Sequence, residues 1–145
     1  MAAGLIELAI ANAERTALLS HPTLGEMLVV YHLEDGAGHF LVAENLAPVA
    51  MRIEVDASEG SRGFTSSRGM LVCQDVLPPR SRMLLMAFTL SMKAKAHALG
   101  FRFGGAAVPP GEPTTGHIPD LSGLGQLAPL HSPRPIDAKP PAALG

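Results

Sequence analysis

Few side chains in this sequence are suited to covalent or metal chemistry. There is one cysteine, Cys73, and there are six histidines. A thiol nucleophile needs a base, usually an imidazole, and surroundings that favour the thiolate. Cys73 stands in "MLVCQDV" among Leu71, Val72 and Val76, where a thiol behaves as a small hydrophobe. None of the histidines has the context of a cysteine-protease partner. His32 and His39 flank a hairpin signal and can face each other across it, with Glu34 and Asp35 nearby. Zinc takes four ligands, or three and a water, at recognisable spacings, and no such spacing occurs. Calcium takes several acidic side chains from one loop, and Asp56, Glu59 and Asp75 are too few to argue it. No metal and no cofactor is expected.

The stretch "GSRGFTSSRG" suits an anion better, since turn N–H groups form nests and arginine binds phosphate in a fork. Arg62 and Arg68 would supply the charge, and Arg80 and Arg82 would extend it along an edge. The stretch lacks the lysine and spacing of a P-loop. The competing reading is structural. Serine and glycine then satisfy turn geometry, Arg68 pairs with Asp75 or Asp56, and Arg80 and Arg82 keep an edge strand soluble.

The elements that must position these residues are mostly strands. Residues 3–20 read as a helix, with Leu5, Ile6, Ala9, Ile10, Ala13, Ala17 and Leu18 at three- and four-residue spacings. Pro22 sets its end. "EMLVVYHL" and "HFLVAEN" are apolar, β-branched runs joined through Asp35-Gly36, a short-hairpin signal. "AMRIEVD" alternates: Met51, Ile53 and Val55 on one side, Arg52, Glu54 and Asp56 on the other. That is a strand with one wet face. A polar loop, "ASEGSRGFTSSRG", precedes the strand "MLVCQDV". "RMLLMAFTLSMKAKAHALG" is rich in helix formers, but Pro78-Pro79 suits a turn into a neighbouring strand. A strand over 82–90, a turn or short helical piece, and a short strand at "FRF" are expected.

From Gly104 the composition changes. Nine of the 13 prolines and seven of the 15 glycines lie in 104–145, too little apolar material to offset the entropy of ordering. "HIPDLSGL" or "LHSPRPI" is expected to lie over the domain. The plan is therefore a helix over 1–22, a small antiparallel β-sandwich over 23–103 and a proline- and glycine-rich tail, extended or disordered, over 104–145, mainly β in class.

With 145 residues, 47% hydrophobic and 17% charged, the chain suits one domain with attached segments. Net charge is −2 and pI about 6.3, which argues against a nucleic-acid footprint. One cysteine fits a reducing compartment. Glu7 and Glu14 interrupt the first apolar run, so it is not a good secretory signal. No uncharged stretch approaches the roughly 20 apolar residues of a membrane span. A cytoplasmic protein is expected.

The order of motifs resembles the C-terminal domain of small-optic-lobes-type calpains. It comprises Glu44-Asn45, Asp56-Ala57-Ser58, Ser66-Ser67-Arg68-Gly69, and the run from Asp75 through Val76, Leu77, Pro78, Pro79, Arg80 and Ser81 to Arg82. Ser67 departs from the usual threonine. "GHIPDL" and "LHSPRPI" extend the similarity, which spans about 24–136 and fades in 91–103. In that family proteolysis belongs to an upstream papain-like domain with a Cys-His-Asn triad, and no triad position carries over. The resemblance implies a non-catalytic accessory module that binds a protein partner or packs on a protease domain. The alternatives are a fragment of a cysteine endopeptidase and an anion- or phospholipid-binding β module. Candidate contacts are Arg62, Arg68, Arg80 and Arg82. Glu44, Asn45, Asp56, Gly69, Asp75, Pro78 and Pro79 are expected as turn and scaffold residues. The sequence sets no oligomeric state.

Overall fold

The computed structural model describes residues 5–23, 25–35, 38–68, 70–91, 98–108 and 133–136. Its elements are helix α1 (Leu5–Asn12) and strands β1 (Glu14–His21), β2 (Gly25–Asp35), β3 (Gly38–Asn45), β4 (Met51–Asp56), β5 (Phe64–Ser66), β6 (Val72–Leu77), β7 (Ser81–Leu90), β8 (Arg102–Ala107) and β9 (Arg134–Pro135). Two antiparallel sheets form. The larger runs β1-β2-β3-β7-β5, with β9 also beside β7, and the smaller runs β6-β4-β8. This is the expected mainly β, sandwich-like class with a short helix near the N-terminus.

Burial explains why β2 and β3 read as unbroken apolar runs. Leu28, Val30, Leu41, Ala43, Met83, Leu85 and Phe88 face the smaller sheet, where Met51, Ile53, Val55, Cys73 and Leu77 meet them. Val29, Tyr31, Leu33, Val42 and Leu84 point the other way, against Ile6 and Ala9 of α1. The larger sheet is thus covered on both faces, and period-2 alternation vanishes from its composition. β4, with only one covered face, keeps it: Met51, Ile53 and Val55 are buried while Arg52, Glu54 and Asp56 are not.

The helix expected over 3–20 is shorter. It ends at Asn12, and Glu14–His21 is an edge strand paired antiparallel with β2. Tertiary pairing overrides a local period here, because Leu18 and Leu19 pack against the inter-sheet core at an irregularity in the β1–β2 register. A second correction falls inside the loop expected over 57–69, where Phe64–Ser66 pairs with Leu90–Phe88 as β5. The ambiguous segment after Pro79 is a strand, β7, as expected, and the "FRF" strand extends to Ala107. The turn or helical piece expected within 91–99 falls mostly outside the described residues, as do Gly69 and "HIPDLSGL". The end of "LHSPRPI" does lie on the domain, where Arg134 pairs with Arg82 and Pro135 with Ser81.

One irregularity bears on the site. Leu41 pairs with Met86 but Val42 with Leu84, so Leu85 is the extra residue of a β-bulge. Both Leu85 and Met86 turn into the inter-sheet core. A bulge leaves a backbone group unmatched in the ladder, and the sequence supplies a partner for it from elsewhere.

Candidate functional site

That partner is Arg68. The connection between β5 and β6 turns tightly on hydroxyls: Arg68 N donates to Ser66 Oγ at 3.0 Å and Ala87 N to Ser67 Oγ at 3.0 Å. The turn sends the Arg68 side chain between the sheets. Its Nη1 and Nη2 donate to Asp75 Oδ2 and Oδ1 at 2.6 and 3.0 Å, and Nη1 also donates to the Leu85 carbonyl at 3.2 Å. Arg68 and Asp75 are each 6% exposed. Burial works against the guanidinium charge, but the hydrogen bonds and charge of Asp75 outweigh it and hold the pKa above the usual value. Of the two partners open to Arg68 in the sequence, the structure selects Asp75.

Cys73 lies on the same inward face of β6, two residues from Asp75, and is 4% exposed. Burial pushes its thiol up to about 12; the Arg68 charge opposes the shift and Asp75 adds to it. The charged groups acting on the thiol are that ion pair. His32 and His39 instead bond to each other, Nε2 to Nδ1 at 2.9 Å, beside the rings of Phe101 and Phe64. Burial, and then the His39 charge, lower the pKa of His32.

A second polar cluster holds the opposite end of the sandwich. Asn45 is fully buried, and its Nδ2 donates to the carbonyls of Val49, Leu77 and Pro78 at 2.9, 3.1 and 3.0 Å. Its Oδ1 accepts from Ala47 N at 2.9 Å. Pro78 and Pro79 are exposed in the turn that follows, which Arg80 completes at φ 50°. Glu44 accepts from the Tyr31 hydroxyl at 3.0 Å and faces Arg82 Nη1 at 3.8 Å. Arg82 Nη2 donates to the Ile136 carbonyl at 2.7 Å, and Arg134 pairs with Glu7 of α1. Asp56 accepts from Ser58 N and Oγ at 2.9 and 2.5 Å, bonds that hold its carboxyl below the usual range.

The four candidate contact arginines therefore do not assemble. Arg68 is inside, and Arg82 is half-buried between Glu44 and Ile136. Arg62 and Arg80 are exposed, but they flank opposite ends of β7, a 10-residue strand about 30 Å long.

Sequence reasoning missed the outer face of the smaller sheet. A groove of about 540 Å³ lies there, lined by Glu54, Asp56, Met70, Val72, Gln74 and Arg102, among others. The Glu54 carboxylate lies over Gly104, whose absent Cβ would sit 3.6 Å from Glu54 Oε2. Met70 and Val72 are 41% and 48% exposed. The missed signal was alternation in "VCQDVL": burying Cys73, Asp75 and Leu77 puts Val72, Gln74 and Val76 outside.

The chain is a two-sheet antiparallel domain with its sole thiol sealed between the layers. Residues 8–103 match the calpain-D-like C-terminal domain family, and the chain belongs to that family. The match starts earlier than the motif resemblance and stops before the two tail motifs. Comparison with curated proteins and with solved structures gave no match.

Proposed function

We propose that this chain is a non-catalytic accessory module, contributing protein recognition to, or packing against, a calpain-type protease in the cytoplasm. The observation that carries the reading is the state of Cys73. A thiol 4% exposed with its pKa pushed up to about 12 holds its proton at neutral pH and cannot be reached by a peptide carbonyl. Membership of a C-terminal domain family, whose match covers residues 8–103, supports the same role. The anion-binding alternative keeps only Arg62 and Arg80 as outward candidates, and their separation weakens it.

The test uses an epoxysuccinyl thiol probe on the native full chain, with urea-unfolded chain as the positive control. Labelling of Cys73 only after unfolding is expected. Fast native labelling together with cleavage of a fluorogenic peptide would return the chain to the proteases.

A further inference from the structure

The backbone pattern of β6 shows what its outer edge offers. Ala57 N donates to Leu71 O at 2.8 Å, one step beyond the Asp56–Val72 pair. Hydrogen-bonded pairs alternate along an antiparallel ladder. Cys73, Asp75 and Leu77 therefore turn their peptide groups toward β4, while Val72, Gln74 and Val76 turn theirs away. β6 ends the smaller sheet, and among the described residues nothing bonds those three peptide groups.

An edge of this kind recruits another strand unless it is blunted by charge, proline or a bulge. β1, at the edge of the other sheet, carries Glu14 and Arg15 and an irregular register. β6 does carry an inward charge, Asp75, but Arg68 of the same chain neutralises it between the sheets, and the outward side chains of β6 are the uncharged Val72, Gln74 and Val76. Two large apolar side chains, Met70 and Val72, are exposed at its start. Met70 also lines a second hollow of about 290 Å³ beside Phe64 and Thr65, so the apolar surface continues between β6 and β5.

Charge selects the occupant. Around the groove, Arg102 is paired with Glu59 at 2.7 Å, and Ser58 holds Asp56 as an anion. Glu54 has no ion pair among the described residues. It is one strand inside β6, directly beside Gln74. A residue on an added strand opposite Gln74 would lie two strand spacings from Glu54, about 9–10 Å, which an arginine and a glutamate side chain together span.

We propose that the outer edge of β6 is a docking site for an extended peptide of a partner protein, added antiparallel as a further strand of the smaller sheet. The peptide carries an apolar residue against Met70 and Val72, and a lysine or arginine two positions before it beside Gln74, reaching Glu54. Main-chain bonds to Val72, Gln74 and Val76 supply affinity, and the two side chains supply selectivity. The proposal rests on the recognition reading above and gives it a place and a ligand chemistry.

The test pans a phage-displayed library of random dodecapeptides against the full chain and measures selected synthetic peptides by calorimetry. Enrichment of a basic residue two positions before an apolar one is expected. Gln74→Pro removes one outward N–H at a position where an edge strand tolerates proline. It should weaken binding up to about tenfold with the unfolding midpoint little changed; Val72→Lys is the second edge variant. Glu54→Lys should weaken the same peptides, and exchanging the peptide's basic residue for glutamate should restore them.

Binders indifferent to all three substitutions refute the edge while leaving recognition elsewhere on the chain. Failure to enrich any peptide refutes the edge, and native labelling of Cys73 together with cleavage of a fluorogenic peptide refutes the non-catalytic recognition reading itself. Slow hydrogen exchange at Val72, Gln74 and Val76 in the free monomer would mean that the chain covers its own edge. A dimer dispersed by Val72→Lys would assign the edge to a second copy. Either result overturns the proposal.

Discussion

Replacing Arg68 with methionine leaves the Asp75 carboxylate between the sheets without its two hydrogen bonds, and the Leu85 bulge carbonyl without its donor. The side chains of the pair are 0% and 8% exposed, so solvent screening scarcely weakens their interaction. Removing one partner of a buried pair costs about 3–5 kcal/mol, because the other charge stays buried. That is a large fraction of the ~5–15 kcal/mol that holds a typical domain folded. With a urea slope of about 2 kcal/mol per molar, the midpoint of Arg68→Met should fall by roughly 2 M. In a thermal scan the loss corresponds to roughly 10–20 °C. The double variant Arg68→Met with Asp75→Leu should recover most of this, since a well-packed apolar pair is often as stable as the ion pair. Coupling in the double-mutant cycle is then above about 2 kcal/mol. A single-variant cost below about 1 kcal/mol would class the pair with surface bridges. That result, or simple additivity, would refute the account of the arginine turn as the bolt between the sheets.

Cys73 gives a pH prediction with a definite sign. Its folded pKa of about 12 lies above the ordinary 9.0, so stability is full below pH 9.0 and falls as pH rises toward 12. The loss is at most about 4 kcal/mol, and urea midpoints of Cys73→Ala should decline less steeply between about pH 8 and pH 10.5. His32 acts in the acid range. With its folded pKa below 6.5, stability is present above that value and is lost as pH falls below it, a slope that His32→Gln should flatten in the same unfolding assay. Asn45→Asp removes the donors to three carbonyls and sets an anion among them. A loss of about 3 kcal/mol or more is expected in urea unfolding. Glycine substitutions should rank by what a Cβ meets: Gly60→Ala approaches the Gly100 backbone at 2.9 Å, whereas Gly104→Ala makes an ordinary contact at 3.6 Å. Thermal midpoints should therefore fall clearly for the first and little for the second.

Several features were legible from residue order because they rest on local chemistry. "MRIEVD" shows its one wet face by alternation, and Asp35-Gly36 marks the hairpin whose strands close with the Asp35–Gly38 pair. The hydroxyl-glycine turn and its arginine were visible as a unit, with an acidic partner for that arginine among two choices. Cys73 was readable as packing because Leu71, Val72 and Val76 surround it in the sequence, although the charged Asp75 shares its inward face. The helix that shrank to Leu5–Asn12 shows the limit. Leu18 satisfies a helical period, but β2 offers Glu14–His21 a full ladder of backbone bonds, and a period carries no information about a strand that arrives from elsewhere. The same reason separates Arg68, which reaches Asp75, from Arg62 and Arg80, which lie apart on opposite ends of β7. It also explains why the outer edge of β6, unpaired among the described residues, was invisible. An edge is defined by the strand that is not beside it, and only the order β6-β4-β8 decides that.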